Sequence, residues 1–165
     1  MRTLYLLRHA KSSWKDPAQA DFERPLAGRG RKACEMVARL IQAREISFDL
    51  VLCSTAVRAR QTIELVNQYA KLRTETRFDE RIYQATATQL AEVVAQVEND
   101  RKSVLLVGHN PGFADLVSWF TGTDHRFPTA CLAKIKFKIS KWSDCCERDG
   151  SLDWITSPKQ WEESQ

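Results

Sequence analysis

The chain lacks the cysteine spacing that would organise a disulfide framework or a zinc site. Its five cysteines (Cys34, Cys53, Cys131, Cys145 and Cys146) are odd in number and show no CxxC or histidine-flanked pattern. They read as reduced thiols, as expected of a cytoplasmic protein. No run of 18 apolar residues and no apolar leader with a cleavage site is present, so neither a membrane span nor a secretory signal is expected. Basic residues outnumber acidic ones, 25 to 21, but they are scattered. The net charge of +4 therefore suits an anionic ligand without pointing to nucleic acid. There is no internal repeat, low-complexity segment, carboxylate cluster or HxxxH spacing, so no metal or other cofactor is expected. With 165 residues, 43% of them hydrophobic, residues 1–165 are read as one domain.

What is present is a pattern repeated three times. Leu4 to Leu7, Phe48 to Cys53 and Ser103 to Gly108 are continuous apolar runs, which read as strands buried on both faces of a parallel sheet. Each is followed by groups suited to phosphate: Arg8 and His9, then Arg58, then His109. Helical spacing of apolar residues follows each run, over Arg31–Glu45, the segment after Thr55, Thr88–Val97 and Gly112–Thr121. Thr55, Thr88 and Asn110 are the expected N-caps, with Pro111 at the first position of the last helix. Thr55 as cap places Arg58 in the first helical turn, where free N–H groups favour anions. The pattern predicts an α/β fold with a mostly parallel sheet. Strand ends in such a sheet share one edge, so two histidines and two arginines far apart in sequence converge there as a cationic cradle for a phosphoryl group.

The remaining segments frame that edge. Ser12 to Arg24 is polar and aromatic and reads as a loop at its rim. Thr129 to Ile139 alternates Ile135, Phe137 and Ile139 with Lys134, Lys136 and Lys138, a strand with one wet face. Leu152–Ile155 reads as its antiparallel partner, and the polar tail, residues 159–165, is expected to fray. His125 lies in a polar loop and carries no expected role.

Leu7-Arg8-His9-Ala10-Lys11-Ser12 resembles the RHG signature of the histidine phosphatase superfamily, with Ala10 in place of the usual glycine. The residues after it are most similar to those of the small SixA-type phosphohistidine phosphatases. Ser54 to Thr62 is similar to the family's SxxxRxxQT segment, Glu80-Arg81-Ile82-Tyr83 to its ER-x-Y segment, and Gly108 to Gly112 to its GHNPG segment. The resemblance implies a three-layer α/β/α sandwich of the phosphoglycerate mutase-like type without a lid insertion, and a metal-independent phosphatase. By it, His9 is the nucleophile; Arg8, Arg58 and His109 hold the phosphoryl oxygens; and Glu80 moves the proton. Such a nucleophile needs one unprotonated ring nitrogen, with the proton of the other held by an acceptor and with neighbouring arginines lowering its pKa. Lys11 and Ser12 are expected to touch substrate from the rim. The expected substrate is phosphohistidine on a partner protein, such as a phosphorelay histidine phosphotransfer domain. The alternatives are a small phosphate ester, or a module that binds phosphate without turnover.

Overall fold

The structure, a computed structural model, describes residues 1–165. In chain order it comprises β1 (Arg2–Arg8), α1 (Gly28–Ala43), β2 (Leu50–Cys53), α2 (Val57–Ala70), β3 (Thr76–Phe78), α3 (Ala87–Ala95), β4 (Ser103–Gly108), α4 (Gly112–Thr121), β5 (Leu132–Phe137), β6 (Gly150–Thr156) and α5 (Pro158–Glu163). The strands form one sheet in the order β3-β2-β4-β1-β5-β6. The first four are parallel, β5 runs antiparallel to β1, and β6 runs antiparallel to β5.

The uninterrupted apolar runs are explained by burial of both sheet faces. Leu4, Leu6, Leu50, Leu52, Val104 and Leu106 pack with α3 and α4, through residues such as Leu90, Val94, Phe113 and Leu116. The alternate residues Tyr5, Leu7, Val51, Cys53, Leu105 and Val107 pack with α1 and α2. Side chains on a strand point alternately to its two faces, so a strand sandwiched between helix layers has no wet position to mark with a polar residue. The result is a three-layer α/β/α sandwich with a mostly parallel central sheet.

Several element ends differ from the sequence expectation, each for a local reason. The first helix begins at Gly28 rather than Arg31, because its first turn lies directly on the segment leaving β1. A Cβ on Gly30 would stand 2.2 Å from the Lys11 carbonyl oxygen, so only glycine permits this approach. Thr55 does not cap α2: Ala56 holds the cap position, and Ser54 Oγ accepts from the Ala56 N–H. Thr88 does not cap α3 either, since Thr86 forms a capping box with Gln89. At α4, Pro111 occupies the cap position while the Asn110 carboxamide reaches past it to accept from the Ala114 N–H. The tail does not fray throughout. Pro158–Glu163 is helical, opened by a capping box between Ser157 and Gln160, with Trp161 packed against the α1/α2 core. No helix is long and apolar enough to cross a membrane.

Candidate active site

The carboxyl end of β4 gathers the site. The His9 N–H donates to the Gly108 carbonyl at 2.9 Å, and the Ser54 N–H to the Val107 carbonyl at 2.9 Å. The residues just past β1 and β2 are thereby pinned on either side of His109. Arg58, in the first turn of α2, points back into this edge. His9, Arg58 and His109 are all buried, at 6%, 7% and 8% exposure.

The tautomer of His9 is assigned by its partners. Nδ1 of His9 lies 2.8 Å from the Ala10 carbonyl oxygen. A carbonyl only accepts, so Nδ1 carries the proton and Nε2 is the lone-pair nitrogen. Arg58 Nε donates toward that lone pair across 3.4 Å. His109 lies beside it, the two ring centroids 5.1 Å apart, with its Nε2 2.7 Å from Ser54 Oγ. The Ser54 hydroxyl, which accepts from the Ala56 N–H, can either donate to or accept from His109 Nε2. The other ring nitrogen, Nδ1, is buried and has no partner in the protein. Arg8 presents a similar group: Nη1 donates to the Phe127 carbonyl at 3.1 Å, while Nε is buried and unpartnered.

The motif around Arg58 accounts for its other polar residues. Thr62 Oγ1 accepts from the Ala10 N–H at 3.0 Å and donates to the Arg58 carbonyl at 2.7 Å. One buried hydroxyl thus ties the segment after the nucleophile to the helix turn bearing the arginine. Gln61 Oε1 accepts from the Leu26 N–H at 2.8 Å and holds the loop that precedes α1.

Asp21 is the residue that sequence reasoning missed. It sits in a short 3-10 turn, Asp21–Glu23, inside the rim loop. Arg58 Nη1 donates to its carbonyl at 2.7 Å and Nη2 to its carboxylate at 3.0 Å. Tyr83 Oη donates to the same carboxylate at 2.6 Å, and Arg24 Nη1 at 3.2 Å. Led by the Tyr83 hydrogen bond, these partners hold the Asp21 carboxyl down at about 2. A lone aspartate in a polar loop gives little signal in sequence; only its i,i+3 spacing to Arg24 hints at a pair.

The other expected site residues are distributed unevenly. Ser12 is buried, and its Oγ accepts from Arg24 Nη2 at 2.6 Å, so it supports the rim loop. Lys11 is exposed. Glu80 lies exposed in a 3-10 turn, Glu80–Ile82, and its carboxylate makes no hydrogen bond or ion pair; the neighbouring Arg81 pairs with Asp79 at 2.7 Å instead. Tyr83, three residues on, does reach the site, its ring centroid 5.5 Å from that of His109. His125 meets only the Thr123 hydroxyl, at 3.0 Å. No group of three or more His, Cys, Asp or Glu side chains is placed to hold a metal ion.

Burial, more than the arginines, sets the protonation of the pair. Desolvation pulls His9 down to about 4, with Arg58, Arg8 and Arg24 adding to the shift and the Ala10 hydrogen bond opposing it. Burial likewise pulls His109 down to about 3, with His9 and Arg58 next in importance. Both rings are neutral at neutral pH. Unfolding would restore pKa values near 6.5, so below that pH the unfolded chain binds more protons than the folded one. Stability is therefore expected to fall as pH drops from about 6.5 toward 3. Asp21 adds to the loss below about 4, as its carboxylate is protonated. At about 1.4 kcal/mol per pKa unit the histidines together account for several kcal/mol. Urea midpoints measured from pH 7 to pH 4 test this, and a flat profile would show that the rings are not buried neutral.

The comparisons with known proteins agree with this geometry. The sequence profile of the histidine phosphatase superfamily (branch 1) matches residues 4–105. An uncharacterized protein of Mycobacterium tuberculosis is 33% identical over 149 residues, 84% of this chain and 90% of that protein. Among solved structures, a protein of Agrobacterium tumefaciens provisionally assigned as the phosphohistidine phosphatase SixA superposes with a TM-score of 0.80 at 32% identity, covering 95% of this chain and 98% of that one. A similarly assigned SixA of Nakamurella superposes with a TM-score of 0.82 at 25% identity, covering 95% and 96%. The cradle built on the ends of β1, β2 and β4 is thus set in a phosphatase fold, and the chain belongs to the histidine phosphatase superfamily, with a SixA-type architecture.

Proposed function

We propose that the protein removes phosphate from phosphohistidine on a partner protein through a phospho-His9 intermediate. The observation that carries this reading is the lone-pair Nε2 of His9, which faces Arg58 Nε at 3.4 Å with the His109 ring 5.1 Å from its own, on a sheet edge where His109 Nδ1 and Arg8 Nε are buried without a partner within the protein. Nε2 attacks phosphorus; the P–N bond to the substrate imidazole breaks; and that imidazole takes a proton from Glu80 or from solvent as it leaves. Arg8, Arg58 and His109 donate to the equatorial oxygens, where charge is held during transfer. Water then attacks phospho-His9, its oxygen bonding to phosphorus and its proton passing to Glu80 or to solvent as the P–Nε2 bond breaks, and phosphate departs with His9 restored.

The proton supply supports an N–P rather than an O–P substrate. With its carboxyl at about 2, Asp21 is ionised at neutral pH and serves to position Arg58. Glu80 is the remaining proton shuttle, and it is exposed and unanchored. An alkoxide leaving group would need a well-placed acid; an imidazole needs much less help. SixA proteins among the structural relatives carry the phosphohistidine phosphatase assignment, which is in keeping with this choice.

The test compares kcat/KM for a histidine-phosphorylated protein with values for a panel of sugar phosphates, phosphoglycerate and phosphoserine, in the wild type and in Glu80→Gln. The phosphohistidine protein is expected to lead by at least about tenfold, or 1.4 kcal/mol of transition-state binding. Glu80→Gln is expected to slow ester hydrolysis while leaving phosphohistidine turnover within about threefold, well short of the 10²–10⁴ that a general acid supplies. A small ester that wins by the same margin would reassign the substrate.

A further inference from the structure

One cleft beside the cradle gathers four cations. It has a volume of about 680 Å³ and is lined by Lys11, Arg29, Arg126 and Lys159 together with Ala33, Pro128, Thr129 and residues at the start of α5. All four cations are exposed. None forms an ion pair, and no acidic residue lines the cleft. The cleft lies on the sheet edge that carries the site: β1 and β6 both end there, and β5 begins there. Lys11 is two residues from His9, at most about 7 Å along the chain. Arg126 and Pro128 flank Phe127, whose carbonyl accepts from Arg8.

We propose that this cleft docks an acidic surface of the phosphoprotein substrate, seating its phosphorylated side chain over His9. The proposal rests on the reading of the substrate as a phosphorylated protein. Four unpaired cations on one face raise the local concentration of an acidic partner and fix its orientation. Four of the ten residues lining the cleft are cationic and none is acidic, a charge bias that suits an extended acidic surface. Three residues beyond Lys11, Trp14 is 70% exposed with the Arg24 guanidinium stacked on its ring at 3.2 Å. An exposed indole on the same segment as the cleft gives a protein partner an aromatic anchor of the kind that dominates protein interfaces.

The test uses the double variant Arg126→Glu/Lys159→Glu, neither residue belonging to the phosphoryl cradle. Its substrates are a histidine-phosphorylated protein with acidic residues around the phosphohistidine, phosphoramidate, and a small bisphosphate; binding of the unphosphorylated carrier protein is measured by calorimetry. The variant is expected to lose about tenfold or more in kcat/KM on the phosphoprotein, to keep phosphoramidate turnover within about twofold, and to lose binding of the unphosphorylated carrier. The wild type should lose its advantage on the phosphoprotein as salt rises from about 0.05 to 0.5 M, because exposed charges are screened. Equal losses on phosphoramidate would make the cleft part of the cradle; a loss confined to the bisphosphate would make it a small-anion subsite; no loss on any substrate would make it inert. Each of these overturns the proposal. Because carrier binding is read without turnover, failed docking is distinguishable from a wild type that simply prefers small esters.

Discussion

Replacing His9 with alanine is expected to lower kcat by on the order of 10⁴-fold or more, because the variant keeps the donors but has nothing to form the covalent bond to phosphorus. The expectation is sharpened by how His9 is held. Its Nδ1 is bound to the Ala10 carbonyl, which turns the lone pair of Nε2 toward Arg58. Quenching in base after a brief incubation with a phosphorylated substrate should trap acid-labile phosphate on the wild type and none on the variant. Stability should move the opposite way at mildly acid pH. A ring kept neutral by burial down to about 4 destabilises the fold below pH 6.5, and its removal lifts that penalty. His9→Ala should therefore unfold at a higher urea concentration than wild type at pH 5, relative to their difference at pH 7.5. A variant that retained turnover within tenfold would remove His9 from the chemistry.

Arg58→Ala is expected to cost about 10²–10³ in kcat, the usual consequence of removing one preorganised donor to a charged transition state. Arg58 does more than donate, since its Nη atoms are fixed on Asp21 and only Nε is turned to His9. The variant removes that donor and strips Asp21 of one cation, so a carboxylate beside the phosphoryl site loses part of its neutralisation. KM for an anionic substrate should rise together with the fall in kcat. Arg58→Lys should recover little, because an ammonium cannot hold Asp21 with two nitrogens and address His9 with a third. Steady-state kinetics on phosphoramidate, which avoids the docking cleft, decide the matter: an Arg58→Ala variant within tenfold of wild type in kcat would assign Arg58 a structural role.

The sheet and the location of the cradle were legible because both are written in contiguous residues. Runs such as Leu4 to Leu7 and Val104 to Val107 have no alternation, and that alone marks strands covered on both faces. The polar residue ending each run then has to lie at the ligand-binding edge. Contacts that join distant loops left no such trace. Asp21 acquires its role only when the rim loop folds back onto α2 and Tyr83, and Ser54 supports His109 only because β2 and β4 are neighbours. The helix caps failed for narrower, local reasons: at α3 both Thr86 and Thr88 stand beside the start and the capping box with Gln89 selects Thr86, while Ala56 at α2 and Pro111 at α4 take the cap position without a side-chain cap. The docking cleft is assembled from residues near 11, 29, 126 and 159, and no local pattern announces it.

The buried Thr62 hydroxyl has a consequence for how the enzyme fails under heat. It joins Ala10 to Arg58, and Ser54 joins β2 to His109, so the four groups of the cradle hang from core strands and the first turns of core helices. The backbone that carries the cradle is thus part of the sheet and the helices packed on it. Inactivation should then coincide with global melting, with no warmer-than-native but folded, silent form in between. The end of α5, a single short helix at the chain terminus, is free to loosen first without silencing the chemistry.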